Sequence, residues 1–334
     1  DGMGATIRDV AKEAGVSVAT VSRGLNSNVK VNDDTKERVL AAVKKFSYSP
    51  STIARGLKTK SIKTIAIVVK SFMMQHHMVI ADRINRHFSQ NGYDIMICES
   101  GSDEATVSCF LRRMLDKSID GIVFIGSTFQ LLSAIPETET LLCSVPVVIS
   151  NGWIENSYGI VVDEKGGARM VSEHMYETGK RNTIFIHSSY TESCKNKLSG
   201  FLEFVEDHDD YSGRVVEYSP EKESLWDILS AIEFDSVVAE DDLLASEVQR
   251  VLLSKGKKVP EEVSVAGFNN SEYSTLMYPS ITSVDNKAVD QGTECAVLLE
   301  KILSGSKDAP KEKKLYKVIP CSLVVRESTQ RKEI

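Results

Sequence analysis

The feature that most constrains this chain is an alternation that begins near Ile62. Apolar runs of strand length at 64–69, 93–98, 121–125 and 145–149 are separated by stretches long enough to be helices. Continuous apolar runs suit strands buried on both faces, and buried strands joined by helical crossovers form parallel sheets. The alternation resumes with runs at 159–162, 183–186, 237–239 and 263–268 and helical segments at 164–178 and 243–255. A body at 62–334 is expected, built as two α/β lobes with parallel sheets. Lobe 1 is expected over about 62–160 plus 288–319, and lobe 2 over about 161–287 plus 320–334. Residues 304–314, rich in Ser, Gly, Lys and Pro, read as a surface loop before a last strand near 321–325.

Composition narrows the class. With 42% hydrophobic residues, 26% charged and 8 prolines, the chain can bury a real core and is neither collagen-like nor disordered. No run approaches the roughly 18 apolar residues that span a bilayer, and no leader-like segment precedes the fold, so a soluble, cytoplasmic protein is expected. The six cysteines form no C-x-x-C pair and read as reduced, mostly buried thiols.

The first 60 residues differ in kind. They hold 11 Lys and Arg against 6 acids, a charge of +5, whereas the remainder holds 29 against 41, a charge of −12. A basic head on an acidic body suits a protein whose head alone meets a polyanion. Residues 1–4 read as a remnant foreign to the fold, and 5–48 as a small all-α unit. Thr6 can cap a first helix carrying Ile7, Val10, Ala11 and Ala14 on one face; Gly15 ends it, and Ser17 caps a second helix from Val18. A third is expected from about Asp33 to Phe46. Residues 11–26 meet each requirement of a helix-turn-helix: small Ala14 at the crossing, Gly15 in the turn, Val16, Val21 and Leu25 beneath, and small or polar residues outward. Ser17, Val18, Ala19, Thr20, Ser22 and Arg23 form that outward face. Arg23 is the best base reader, because guanidinium matches guanine O6 and N7 bidentately.

These residues carry a resemblance. Thr6-Ile7-Arg8-Asp9-Val10-Ala11, the motif at 11–26, and Tyr48-Ser49-Pro50-Ser51 leading to Ala54-Arg55-Gly56-Leu57 resemble the head and hinge of the LacI/GalR family of bacterial transcriptional regulators. Along the body, Asp120-Gly121-Ile122, Asp163, Lys197-Leu198-Ser199-Gly200-Phe201, Asp241-Asp242 with Ala245, Pro260, Val265-Ala266-Gly267-Phe268, Thr282-Ser283-Val284 and Leu323 to Thr329 follow the family's order. The resemblance implies a homodimeric repressor on a pseudo-palindromic double-stranded operator. It implies a hinge helix within 49–61 that orders on DNA, inserts Leu57 in the minor groove and kinks a flexible step. Thr6, Ile7, Arg8, Asn26, Ser51, Ala54, Arg55 and Lys58 join the expected DNA contacts. Gly24 departs from the usual larger residue and weakens its helix by about 1 kcal/mol.

The resemblance also implies two lobes like those of sugar-binding periplasmic proteins, with a small effector, a sugar or sugar derivative, between them. His76, His77, Ser127, Asn151, Lys197, Asp241 and Asn269 match the cleft. Lys197 stands for a frequent arginine and Asn269 for a frequent aspartate, which together with Lys195 makes an acidic effector easier to accommodate; a neutral sugar or nucleoside stays open. Neighbouring histidines diverge on a helix, so His76, His77 and Asp82 are not expected to bind a metal. The acidic run Glu240-Asp241-Asp242 has no accompanying nucleophile or phosphate loop, so neither catalysis nor a cofactor is expected. Control by a protein partner, an enzyme carrying a DNA-binding appendage, and a transport solute-binding protein are the competing readings.

Overall fold

A computed structural model describes residues 7–18, 20–21, 32–46 and 61–330. The chain divides into two compact units, Asp1–Ile62 and Lys63–Ile334. The expected contacts Thr6, Ala19, Ser22, Arg23, Asn26, Ser51, Ala54, Arg55, Leu57 and Lys58, with the hinge segment, lie outside the described residues.

In the first unit a helix spans Ile7–Ala14. Gly15, at φ +62°, takes a left-handed conformation that a side chain would resist, and the Val16 amide donates back to Ala11 O at 3.0 Å. Ser17 Oγ then accepts the Thr20 amide at 3.1 Å, capping a helical turn that holds Val18, Thr20 and Val21. A helix at Asp33–Lys45 begins at Asn32, whose side chain accepts the Asp34 amide at 3.2 Å; Phe46 caps it instead of continuing it. Val10, Ala11, Ala14, Val21, Val39 and Ala42 make the core. Arg8, Ser17 and Val18 are exposed and Thr20 is half-buried.

The second unit contains two six-stranded sheets. The first has the order β11-β5-β4-β3-β1-β2, from strands β1 (Thr64–Val69), β2 (Asp94–Glu99), β3 (Gly121–Ile125), β4 (Val147–Ser150), β5 (Tyr158–Val162) and β11 (Leu315–Ile319). The second repeats that order as β12-β10-β9-β8-β6-β7, from β6 (Asn182–His187), β7 (Ser212–Glu217), β8 (Ser236–Ala239), β9 (Ser264–Phe268), β10 (Thr282–Asp285) and β12 (Ser322–Val324). Every pairing is parallel except β10 with β12, which is antiparallel because the chain returns along it. The run at 159–162 belongs wholly to the first sheet, between β4 and β11. The chain passes between the sheets three times, after β5, β10 and β11.

The central strands are buried and apolar on both faces, whereas the edge strands β2, β7 and β11 are partly exposed. Helices cover each sheet, and the helix Glu192–Glu206 buries Cys194, Lys197, Leu198, Phe201 and Phe204 along one face. The Phe201 ring lies 5.5 Å from that of Phe185 on β6. Cys194 and Cys295 are buried and Cys98 and Cys321 half-buried, but Cys109 and Cys143 are exposed. Phe201→Ala is expected to cost about 3–5 kcal/mol, read by urea unfolding, because the well-packed site cannot collapse onto the void.

Candidate functional site

Parallel strands send their carboxyl ends to one edge, and open α/β folds hold ligands in the loops beyond that edge. A cavity of about 150 Å³ lies there. Lys70, Met74, His76 and His77 follow β1, Ser127 and Thr128 follow β3, and Asn151 follows β4. From the other sheet, Ser188, Ser189, Thr191, Ser193, Cys194 and Lys197 follow β6, Glu240 and Asp241 follow β8, and Asn269 follows β9. The structure thus brings His76, His77, Ser127, Asn151, Lys197, Asp241 and Asn269 around one space.

Two backbone positions on the wall are unusual. Asn151 (φ +56°) and Asn269 (φ +95°) occupy left-handed conformations that cost a non-glycine residue free energy and concentrate at functional sites. Asn151 Oδ1 accepts the Val162 amide at 3.3 Å while its Nδ2 donates to Glu164 Oε1 at 3.0 Å. Asn269 Oδ1 accepts from Asn286 Nδ2 at 2.8 Å.

Buried charge organises the seam. Lys197, 6% exposed on the buried face of its helix, donates to the backbone oxygen of Glu240 at 2.8 Å, lies 4.0 Å from Glu164 and sits over the Phe268 ring. Glu164, 2% exposed and absent from the sequence reading, also accepts the Ser193 hydroxyl. Its Oε2 has no hydrogen-bond partner among the described residues. The Ser193 backbone amide donates to Ser127 Oγ at 3.1 Å, so the two lobes are bonded directly to one another. Glu164 follows the helix-capping Asp163 and reads in sequence as an ordinary first-turn acid.

The acidic run divides into three separate tasks. Glu240 accepts from the Ser188 amide and hydroxyl at 2.7 and 2.6 Å and from Ser189 Oγ at 2.7 Å. Asp241 caps the helix Asp242–Ser254 through the Leu244 amide at 2.8 Å, and burial raises its pKa. Asp242, 1% exposed, accepts from Ser271 and Ser283, and burial pushes its pKa up to about 6.

The histidines differ from the expected divergence: the His76 and His77 rings lie 4.2 Å apart, and the His77 ring packs against Gly126. A Cβ at Gly126 would meet His77 at 2.6 Å, so the close approach needs glycine there. Burial lowers the pKa of His76, with neighbouring His77, Lys197 and Lys70 adding to it; burial, then Lys70, lowers that of His77 to about 3. Asp82 is taken by Arg86 at 2.7 Å, and no group of three or more His, Cys, Asp or Glu among the described residues could hold a metal ion. Lys195 pairs with Glu192 at 2.6 Å on the half-exposed side of its helix and does not line the cavity. The remaining histidines are satisfied, His87 by Glu300, His174 by Thr329, His187 by Ser189 O and His208 by Phe204 O.

Comparison with known proteins gives two family matches. Residues 6–51 match the model of bacterial regulatory proteins of the lacI family, and residues 172–329 match that of the periplasmic binding protein-like domain. The chain is 29% identical to an HTH-type transcriptional regulator of Lachnoclostridium phytofermentans, over 97% of this chain and 99% of that protein. It is 28% identical to a ribose operon repressor of Halalkalibacterium halodurans, over 97% of each. A crystal structure of the lac repressor dimer bound to operator and the anti-inducer ONPF matches with a TM-score of 0.82 at 21% identity, over 98% of this chain and 99% of that one.

The buried imidazoles set a pH dependence. Unfolded His77 binds a proton below about 6.5 and folded His77 only below about 3, so its contribution to stability is lost as pH falls through that window. Asp242 acts oppositely between about 6 and 3.8, because its folded form binds the proton first, but its shift is smaller. Stability in urea is expected to fall from pH 7 to pH 5, and His77→Asn to flatten that fall. An unchanged slope in the variant contradicts the assignment.

Proposed function

The chain belongs to the LacI family of bacterial regulatory proteins, and from that membership we propose a homodimeric repressor whose grip on a pseudo-palindromic operator is set by a small neutral sugar held between its lobes. As a family member it is a DNA-binding transcriptional regulator, and the relatives named above are regulators, not enzymes. Two-fold protein symmetry would meet two-fold DNA symmetry, with the head at the major groove and the hinge leucine at the operator centre. The site of action is then the cytoplasm.

The observation that carries the effector reading is the cavity wall. Ser127, Thr128, Ser188, Ser189, Thr191 and Ser193 offer hydroxyls, Lys70 and Lys197 offer ammonium groups, and Glu240 and Asp241 supply carboxylates. Such a wall suits a molecule that donates and accepts at many points without net charge. Three features weigh against an acidic effector: Lys195 is engaged elsewhere, Lys197 is already met by a carbonyl and a nearby carboxylate, and Glu240 and Asp241 face the same space. A nucleoside finds no phenylalanine, tyrosine or tryptophan to stack on among the described lining residues. The relative named for a ribose operon supports a sugar.

Selection of bound sequences from a random double-stranded pool, with the full chain at near-physiological salt, is expected to recover a palindrome with a central pyrimidine-purine step. Against it, Arg23→Ala is expected to relax one base position by about 1–3 kcal/mol, and Lys58→Ala to weaken all sequences and lower the salt slope by about 1. Equal effects of both on specific and random DNA contradict this division. Thermal shifts with neutral sugars and with sugar phosphates test the effector: stabilisation by a neutral sugar, lost in Lys197→Met, is expected, and stabilisation by phosphates alone contradicts it.

A further inference from the structure

The amino ends of the strands in the second sheet border a separate space. A cavity of about 780 Å³ lies there, at the opposite edge of the sheet from the inter-lobe cavity, and the two share no lining residue. Thr178 and Lys180 reach it just before β6, Pro260 and Glu261 just before β9, and Thr329 and Gln330 after β12. Its volume falls within the ~300–1,000 Å³ typical of small-molecule sites.

A row of hydroxyls ends at this cavity. Thr183 on β6 is in register with Ser236 on β8, and Ser236 with Ser264 on β9, so the three side chains stand on one face of the sheet. The Thr183 hydroxyl is bonded to those of Tyr211 and Ser236. Ser264, the next in the row, lines the cavity and is fully buried, yet its Oγ has no hydrogen-bond partner among the described residues. Two residues further along each strand, Phe185, Val238 and Ala266 share this face and pack under Val171 and Met175 of the helix Glu164–Glu177. Thr178 ends that helix and stands on the cavity wall, so the Ser264 hydroxyl is directed to the side where the cavity lies. A buried hydroxyl left without a partner carries a desolvation cost, which a polar group of a ligand would offset.

The other wall groups carry both signs of charge. Lys180 Nζ is held at the wall by Pro260 O at 3.2 Å and Glu262 O at 3.4 Å. Glu261 is exposed and has no ion pair among the described residues. Thr178 donates its proton to the helix carbonyls of His174 and Met175, so it meets a ligand only as an acceptor. Thr329 is already satisfied by His174 and Thr282, and the exposed Gln330 amide can both donate and accept. An anion here meets Glu261, and a cation meets Lys180. A polyol suits the hydroxyls but leaves both charges without a counterpart. A molecule with one charge of each sign answers all of these groups.

We propose that this cavity binds a small zwitterion of the amino-acid type, with its α-ammonium at Glu261 and Thr178 and its α-carboxylate at Ser264 and Lys180. Pro260 is the only apolar side chain among the described lining residues, which favours a short polar side chain over a long apolar one. The site belongs to the second lobe alone and is independent of what the inter-lobe cavity holds.

Calorimetric titration of the full chain with glycine, L-serine, L-threonine, L-asparagine and L-glutamine tests this. For the one that binds most tightly, the N-acetyl and the amide derivatives each remove one charge, and both are expected to bind at least about tenfold more weakly. The same loss is expected in Glu261→Gln, at an exposed position, and in Ser264→Ala, which removes a hydroxyl that has no partner among the described residues and so leaves the fold intact. Lys197→Met, in the inter-lobe cavity, is expected to leave the affinity unchanged. Binding by none of the five overturns the proposal. A blocked derivative that binds as tightly as its parent also overturns it, as does an affinity lost in Lys197→Met and unchanged in both base variants, which places the amino acid between the lobes.

Discussion

Because the parallel strands of each sheet run the same way, their carboxyl ends collect at one edge, and the chain's three passages set the two edges facing one another. That constraint produces the site. Residues far apart in sequence arrive at the same space: Asn151 and Asn269 directly follow their strands, and His77 and Lys197 lie early in the helices that come after theirs. Neither lobe has a complete wall alone. Any molecule in the cavity touches both, so its binding free energy depends on how the lobes are arranged.

The seam is built of buried polar groups, and their energetics make that dependence large enough to matter. A carboxylate or ammonium withdrawn from water is tolerated only when hydrogen bonds replace its hydration. Lys197 has a carbonyl, Glu240 has three donors, and Glu164 has Asn151 from one lobe and Ser193 from the other. The Ser193 amide and Ser127 complete a direct bridge. Each such hydrogen bond contributes about 1 kcal/mol net, similar in size to the roughly 1–3 kcal/mol by which allosteric sites are coupled. A ligand that exchanges a few of them for its own hydroxyls can therefore move the balance between lobe arrangements.

How much was legible in the sequence follows from where each element sits. Central strands such as β1, β3 and β9 are written in continuous apolar residues because both faces are buried, and the sequence reading found them. The edge strands β7 (Ser-Gly-Arg-Val-Val-Glu) and β11 (Leu-Tyr-Lys-Val-Ile) face water on one side and gave no such run. β10 was hidden for another reason. Its Thr282 and Ser283 are fully buried yet polar, since Thr282 bonds to the segment at Arg326–Thr329 and Ser283 to Asp242. The cleft residues were legible only through resemblance; Glu164 was not, because a buried acid that joins two lobes looks in sequence like any acid at a helix start. The expected divergence of the two histidine rings rested on helix geometry alone and missed their close approach, since Gly126, against which His77 packs, lies 49 positions further along the chain.

The central claim of the proposed function is that ligand binding between the lobes and DNA binding by the head share one equilibrium. The direct measurement is titration of the selected operator by the full chain, with and without a saturating concentration of a sugar found to bind it, for the wild type and Lys197→Met. The account predicts that the sugar changes operator affinity by about 5- to 150-fold in the wild type and not in the variant. A sugar that binds the wild type and leaves its operator affinity unchanged would contradict it.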